Sequence, residues 1–343
     1  MLFDILLEHF ESEKSISDIL ISENENLVIR NKGEIKVLEQ LIDSKQVDQI
    51  IDEICKQNTI IRDNKTELDI WYYSGWGFTY RINLFHKSWK RAMAIRKITN
   101  QVLELQDIMT ESLAKTIIST ILNKQSGLFL VTGTAWSGKS TTLMACLEYL
   151  NTHYAKHIIT VEDPIEFVYK NKMSVFSQRQ IERDTESFGT GLKSLLRQNP
   201  DIVLVGEIRD PESAEAVINI AETGHLVLST LHTKAAINTV SRLVSFFPPY
   251  YQDSIRDRLA DVFLGSLAQN LIKVPDEIIK NDLNSRILAS NFWRVATFEL
   301  LINNTAVSNA IRKGDFKQIP SFIQTGKVDG MIEMWEYRKL IWL

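Results

Sequence analysis

Eight residues, Gly133-Thr134-Ala135-Trp136-Ser137-Gly138-Lys139-Ser140, constrain the fold of this chain more than any other stretch. They fit the pattern G-x-x-x-x-G-K-[ST], follow the apolar run Leu128-Phe129-Leu130-Val131, and precede a helical pattern over Thr141–Leu150. A strand, a glycine-rich turn and a helix in that order are the context a phosphate loop requires. The glycines let the backbone wrap close to phosphate, so that several N–H groups and the helix N-terminus face negative charge. In such a loop Lys139 reaches the β- and γ-phosphates of ATP and Ser140 offers its hydroxyl to Mg²⁺, with Gly133, Thr134, Ser137, Gly138 and Thr141 completing the cradle. The alternative, an ordinary strand-to-helix turn with an exposed Lys139, is disfavoured by the flanking pattern. Trp136 is unusual in a loop of this kind; it either caps a nucleotide or faces a neighbour.

Two acidic stretches follow. In Pro200–Asp210 an apolar strand runs into Glu207, which places a carboxylate where α/β sheets bind ligands. Asp210-Pro211-Glu212 reads instead as a helix N-cap with Pro at the first position. In Ile159–Phe167 three acids, Glu162, Asp163 and Glu166, crowd the end of another strand. Like charges this close need a cation, a metal or a proton among them, unless they are simply solvated. The stretch Ala221–Thr233 carries His225 and His232 at opposite ends of a strand. No cysteine or third histidine is near in sequence, which disfavours a metal pair. Each histidine either senses phosphate or bonds across an interface.

The alternation of helices with buried strands after about residue 104 indicates an α/β domain with a largely parallel sheet. Before it, short strands at Ser17–Ile21, Leu27–Arg30, Glu34–Val37, Leu68–Tyr73, Phe78–Phe85 and Ala92–Ile98 surround a helical pattern from about Leu38 to Lys56. The start, Met1–Glu8, reads as a short amphipathic helix with no secretory signal. A linker is expected over 99–103, around Thr99-Asn100-Gln101, between domains at 1–98 and 104–343. One helix is expected around Asp107–Asn123, and the last hundred residues read mainly as helix.

Composition then narrows the function. The chain has 343 residues, 44% of them apolar, which suits about two domains. Its formal charge of −4 is too neutral for a domain whose main task is gripping nucleic acid. No uncharged apolar stretch approaches the ~20 residues of a membrane span, so direct membrane insertion is not expected and a cytosolic location is. Two cysteines provide neither a disulfide framework nor a four-thiolate zinc site.

Together the phosphate loop, the acidic box Thr160–Phe167, the strand Pro200–Asp210 and the histidine box Ala221–Thr233 resemble those of the secretion and type IV pilus ATPase superfamily, in particular its PilT-like retraction branch. The likeness covers nearly the whole chain. Gln178-Arg179 and Arg183-Asp184-Thr185 resemble the segment after the family's acidic box, and Ser17–Ile21 with Arg81–Phe85 resemble its PAS-like N-terminal domain. The resemblance implies a PAS-like α+β domain followed by a RecA-like P-loop ATPase core with a helical C-terminal region, assembled as a homohexamer. It implies ATP and Mg²⁺ as cofactors, with Ser140 and Glu207 on the metal. Glu166 is implied as the carboxylate that polarises water, His225 and His232 as the histidine-box residues, and Arg81 and Arg96 as arginines that neutralise γ-phosphate charge. From the residues alone, Arg81 and Arg96 read as a solvated strand face. The implied function is pilus retraction through an inner-membrane platform protein, at the cytoplasmic face of that membrane.

The chain departs from the family in three places. The common loop G-P-T-G-S-G-K-S has Trp136 in place of a Gly. The retraction signature A-I-R-N-L-I-R-E is partly kept in Ala306–Lys313, and Asp276–Ser285 is an extra polar stretch. The tetracysteine of many extension ATPases is absent. The competing readings are an ATPase of a conjugation-like or effector secretion system, a catalytically weak ring subunit, and a nucleic-acid translocase, the last disfavoured by charge.

Overall fold

Alternating apolar and polar residues build a half-covered antiparallel sheet in the first hundred residues. The computed structural model describes residues 2–11, 16–31, 33–58, 67–74, 79–98, 102–273 and 294–342. Strands β1 (Ile16–Ser22), β2 (Glu25–Asn31), β3 (Glu34–Ile42), β4 (Glu67–Tyr73), β5 (Thr79–Lys87) and β6 (Lys90–Ile98) pair in the order β3-β2-β1-β6-β5-β4. Ile19, Ile21, Ile29, Ile82 and Ile95 face one side. There they share a core with Phe3 and Leu7 of α1 (Leu2–Glu11) and Val47, Ile50 and Ile54 of α2 (Ser44–Gln57). The opening segment is thus the expected helix. The helical pattern from Leu38 is corrected: β3 continues to Ile42, and α2 starts only after the Asp43 cap, whose side chain accepts from Gln46 N at 2.8 Å. Leu38, Leu41 and Ile42 satisfy either spacing, and the capping box decides.

The chain divides into two compact units, Met1–Gln101 and Val102–Leu343. In the second, β7 (Gly127–Thr132), β8 (His157–Glu162), β9 (Val175–Gln180), β10 (Ile202–Val205), β11 (Leu226–Leu231), β12 (Phe263–Lys273) and β13 (Arg294–Ile302) form one sheet in the order β13-β12-β7-β11-β10-β8-β9. Every pairing is parallel except β12 with β13. Each residue of β7, β10 and β11 is buried, so these strands are covered on both faces, as crossover helices require. The helices are α3 (Leu105–Ile108), α4 (Glu111–Ile117), α5 (Lys139–His153), α6 (Phe188–Leu195), α7 (Pro211–Glu222), α8 (Ile237–Val244) and α9 (Pro249–Val262), with three more after β13.

Three expectations change here. The helix around Asp107–Asn123 is split into α3, α4 and a π-helical turn, because Thr110 caps a new start and accepts from Leu113 N at 3.4 Å. The last hundred residues contain the long strands β12 and β13. Helix α9 ends at Val262 and β12 begins at Phe263, with no turn residue between them to mark the change. Strand β9 is a further addition. Residues 99–101 of the linker expected over 99–103 and the whole of the polar stretch Asp276–Ser285 lie outside the described residues. Among the described residues no helix is long and apolar enough to cross a membrane.

Candidate nucleotide site

Because β7, β8, β10 and β11 run parallel, their carboxyl ends open on one edge of the sheet, where ligands of α/β folds bind. The phosphate loop leaves β7 there, the acidic box leaves β8, Glu207 follows β10 and His232 follows β11. Four boxes spread over about a hundred residues therefore meet through topology alone.

The loop is shaped by its glycines. Gly133 has φ +152°, and a Cβ there would lie 2.4 Å from both the Gln269 carbonyl oxygen and the Ser137 hydroxyl. Gly138 has φ +87°, and its Cβ would lie 2.8 Å from Gln269 Nε2. Trp136 also adopts a left-handed backbone, φ +67°, at the position where the family's loop carries Gly. A side chain there costs about 1–2 kcal/mol. Its indole is exposed.

Lys139 is buried and donates from Nζ to the carbonyls of Gly133 (3.1 Å) and Thr134 (3.0 Å). Burial pulls its ammonium below the usual lysine range, with the charge of Glu166 opposing. Ser140 and Thr141 are half-buried in the first turn of α5. The Ser137 hydroxyl is buried with no hydrogen-bond partner. An orphan donor inside a loop that admits no Cβ fits a phosphate oxygen.

The crowding of acids after β8 is relieved by both a cation and a proton. Asp163 pairs with Arg209 at 2.8 Å, and Arg209 also contacts Glu207. Burial pushes the Glu162 carboxyl up to about 7; hydrogen bonds from Thr160 and Gln178 oppose this, and Glu166 adds to it. Glu166 itself is exposed, within electrostatic reach of Lys139. Glu207 is largely covered and lies 3.1 Å from His232 Nε2. Burial, then the charges of Lys139 and Arg209, lower the His232 pKa. An ionised carboxylate only accepts, so Nε2 of the neutral ring carries the hydrogen and donates to Glu207. Asp210 is the N-cap of α7, accepting from Ser213 N at 2.7 Å.

His225 is elsewhere. It precedes β11, and its ring Nδ1 lies 3.0 Å from Ile220 O and 3.0 Å from Thr223 Oγ1. The register runs from Leu226 opposite Gly127 to Leu231 opposite Thr132. Five steps at ~3.3 Å put His225 about 17 Å or more from the phosphate loop. Within one chain the strand thus carries His225 and His232 to opposite edges of the sheet, which leaves His225 the interface reading. In the N-terminal unit, Arg81 and Arg96 lie directly opposite each other on β5 and β6. Arg81 pairs with Asp69 at 3.0 Å and Arg96 with Asp18 at 2.7 Å, which offsets the repulsion of like charges across the pair.

Two residues at the site escape sequence reasoning. Gln269, buried on β12, accepts from Thr142 Oγ1 at 2.6 Å and braces the loop at both glycines. Arg209 ties the two acidic boxes together. Gln269 belongs to no local pattern; Arg209 lies inside the Pro200–Asp210 stretch, but its pairing with Asp163 of the other acidic box comes only from the fold.

Comparison with known proteins accounts for this arrangement. The family model described as Type II/IV secretion system protein matches residues 9–299. The chain is 41% identical over 255 residues to a twitching motility protein of Neisseria gonorrhoeae, covering 74% of this chain and 63% of that protein. It is 35% identical over 326 residues to the type IV pilus retraction ATPase PilT of Pseudomonas aeruginosa, covering 94% and 89%. A crystal structure of the pilus retraction motor PilT with bound ADP superposes with a TM-score of 0.79 at 29% identity, over 98% of this chain and 96% of that one. A phosphate loop, Walker-type acid and histidine at one sheet edge, on a fold shared across almost the full length, place the chain in the type II/IV secretion system protein family, as a PilT-like ATPase.

Proposed function

We propose that this chain is a mechanochemical ATPase that works as a ring of six and powers type IV pilus retraction through an inner-membrane platform protein, at the cytoplasmic side. The observation that carries the reading is the meeting of Lys139, Glu166, Glu207 and His232 at the carboxyl edge of one parallel sheet. Gly133, Thr134, Ser137, Gly138 and Thr141 line the phosphate cradle with Lys139. Ser140 and Glu207 would hold Mg²⁺, which neutralises charge building on the phosphate oxygens. No group of three or more metal-ligating side chains occurs among the described residues, which suits an ion held mainly by water and phosphate.

Each residue then has a defined task. Lys139 exchanges the loop carbonyls for phosphate oxygens. Glu166, exposed on its loop, orients and polarises the attacking water. His232 keeps the Glu207 carboxylate ionised and aimed. Arg81 and Arg96, side by side on a sheet face and held by Asp69 and Asp18, are the pair that the family resemblance assigns to neutralising γ-phosphate charge. His225 takes a histidine-box role only with a second copy of the chain. Turnover moves the ring only if ATP and ADP favour different conformations. Deleting the gene in the cells that encode it tests the direction: surplus surface pili and lost twitching are expected, whereas bald cells contradict retraction.

A further inference from the structure

The segment after β8 that carries Glu166 has no regular secondary structure. Its backbone groups cannot find partners in a ladder, yet Glu166 must hold a fixed direction to orient water. Gln178 on the edge strand β9 supplies what the segment lacks. Its Nε2 donates to Phe167 O at 2.7 Å and its Oε1 accepts from Tyr169 N at 2.9 Å. A side-chain amide has the donor and acceptor of a peptide group. Here it pairs with the carbonyl of one residue and the N–H of the residue two further on, as a neighbouring strand would. The same Nε2 also reaches Glu162 Oε1 at 3.4 Å.

The surroundings fix this amide in place. Gln178 lies opposite Thr160 in the β8–β9 register, and two residues on, Gln180 Oε1 accepts from Ile165 N at 3.4 Å. The Tyr169 ring stacks on Phe176 at 4.2 Å and meets Phe167 edge-on at 5.0 Å. Glu166 therefore sits between Ile165 and Phe167, both tied to β9 side chains.

We propose that Gln178 is a positioning residue for ATP hydrolysis, holding the Glu166 segment as a surrogate strand so that this carboxylate meets the attacking water. The inference rests on Glu166 being the water-orienting group. The hydrogen bonds of Gln178 go to Phe167, Tyr169 and Glu162 and to no residue of the phosphate loop, so its loss is expected to act on the chemical step and to spare binding. A displacement of about 1 Å at a reacting group can cost up to about 100-fold in rate.

The test compares the full-length protein with Gln178→Met, which keeps size and removes both hydrogen bonds, and with Gln178→Glu, which keeps an acceptor and loses the donor. Steady-state phosphate release gives kcat and KM, and a fluorescent ATP analogue gives Kd. The expected result is a fall in kcat of about 10- to 100-fold with KM and Kd within about twofold. The double variant with Glu166→Gln should be no slower than Glu166→Gln alone. An unchanged kcat, a parallel loss of affinity, or full additivity with Glu166→Gln overturns the proposal. If Glu166→Gln by itself leaves kcat intact, the assignment of Glu166 fails instead, and the two failures are separate. Should Gln178→Met not fold, Gln178→Glu carries the same comparison.

Discussion

Glu162 gives the sharpest quantitative prediction, because its carboxyl is raised from the ordinary 4.5 to about 7. The cause is burial at the end of β8, reinforced by Glu166 and opposed by hydrogen bonds from Thr160 and Gln178. A raised carboxyl favours the protonated form in the folded state. Its contribution is fully present below pH 4.5 and is lost as pH rises through about 7. At ~1.4 kcal/mol per pKa unit, the difference reaches about 3 kcal/mol once the group is ionised in both states. Glu162→Gln keeps the shape and an acceptor for Gln178 but cannot ionise. The variant should therefore gain stability over the parent as pH rises. Most of a gain of about 2–3 kcal/mol should develop between pH 5 and 7.5, and the curve should flatten above that. Urea unfolding of both proteins, followed for the unit Val102–Leu343 across this range, measures the difference directly, since all other titrating groups are common to the two. In thermal melts the same energy amounts to about 6–12 °C for a unit of this size. A stability difference that stays flat with pH would refute the reasoning, because it would mean that Glu162 is ionised in the folded protein at all these pH values.

Other outcomes follow from particular contacts. Gly133→Ala should weaken binding of a fluorescent ATP analogue by at least about 100-fold, since its Cβ would lie 2.4 Å from the Gln269 carbonyl; near-parental affinity would contradict the loop geometry. Thr142→Val leaves the buried side-chain oxygen Oε1 of Gln269 without its 2.6 Å donor and should cost about 1–3 kcal/mol in urea unfolding. Phe3→Ala removes a fully buried ring packed edge-on against Tyr72 and should cost about 3–5 kcal/mol in the N-terminal unit, read from that unit's own unfolding transition.

Much of this site was legible in the sequence because its chemistry is local. A phosphate loop needs its residues consecutive, and an apolar strand running into Glu207 announces a carboxylate at a sheet edge. The relief of the acids follows the same chemistry: Arg209 provides a cation, and burial raises the Glu162 carboxyl to about 7. What remained hidden depends on chain reversal. His225 and His232 are seven residues apart and look equivalent, yet the strand between them sends one to the phosphate loop and the other to the far edge. Gln269 lies on a segment with no motif, and although Gln178 belongs to a segment that resembles the family's, only the register of β9 and the contacts of its amide reveal what it holds. Strands β12 and β13 were missed because α9 passes directly into β12. The start of α2 was misjudged because Leu38–Ile42 satisfies both periodicities, and a single aspartate sets the boundary.

The central claim is that Lys139, Glu166 and Glu207 at one sheet edge make this chain an ATP hydrolase. Phosphate release by the purified full-length protein, beside Lys139→Ala and Glu207→Ala, tests it most directly. Removing one charge-stabilising group costs about 100- to 1,000-fold in comparable sites, so turnover should be measurable in the parent and fall by that order in both variants. Equal turnover in all three proteins would contradict the account.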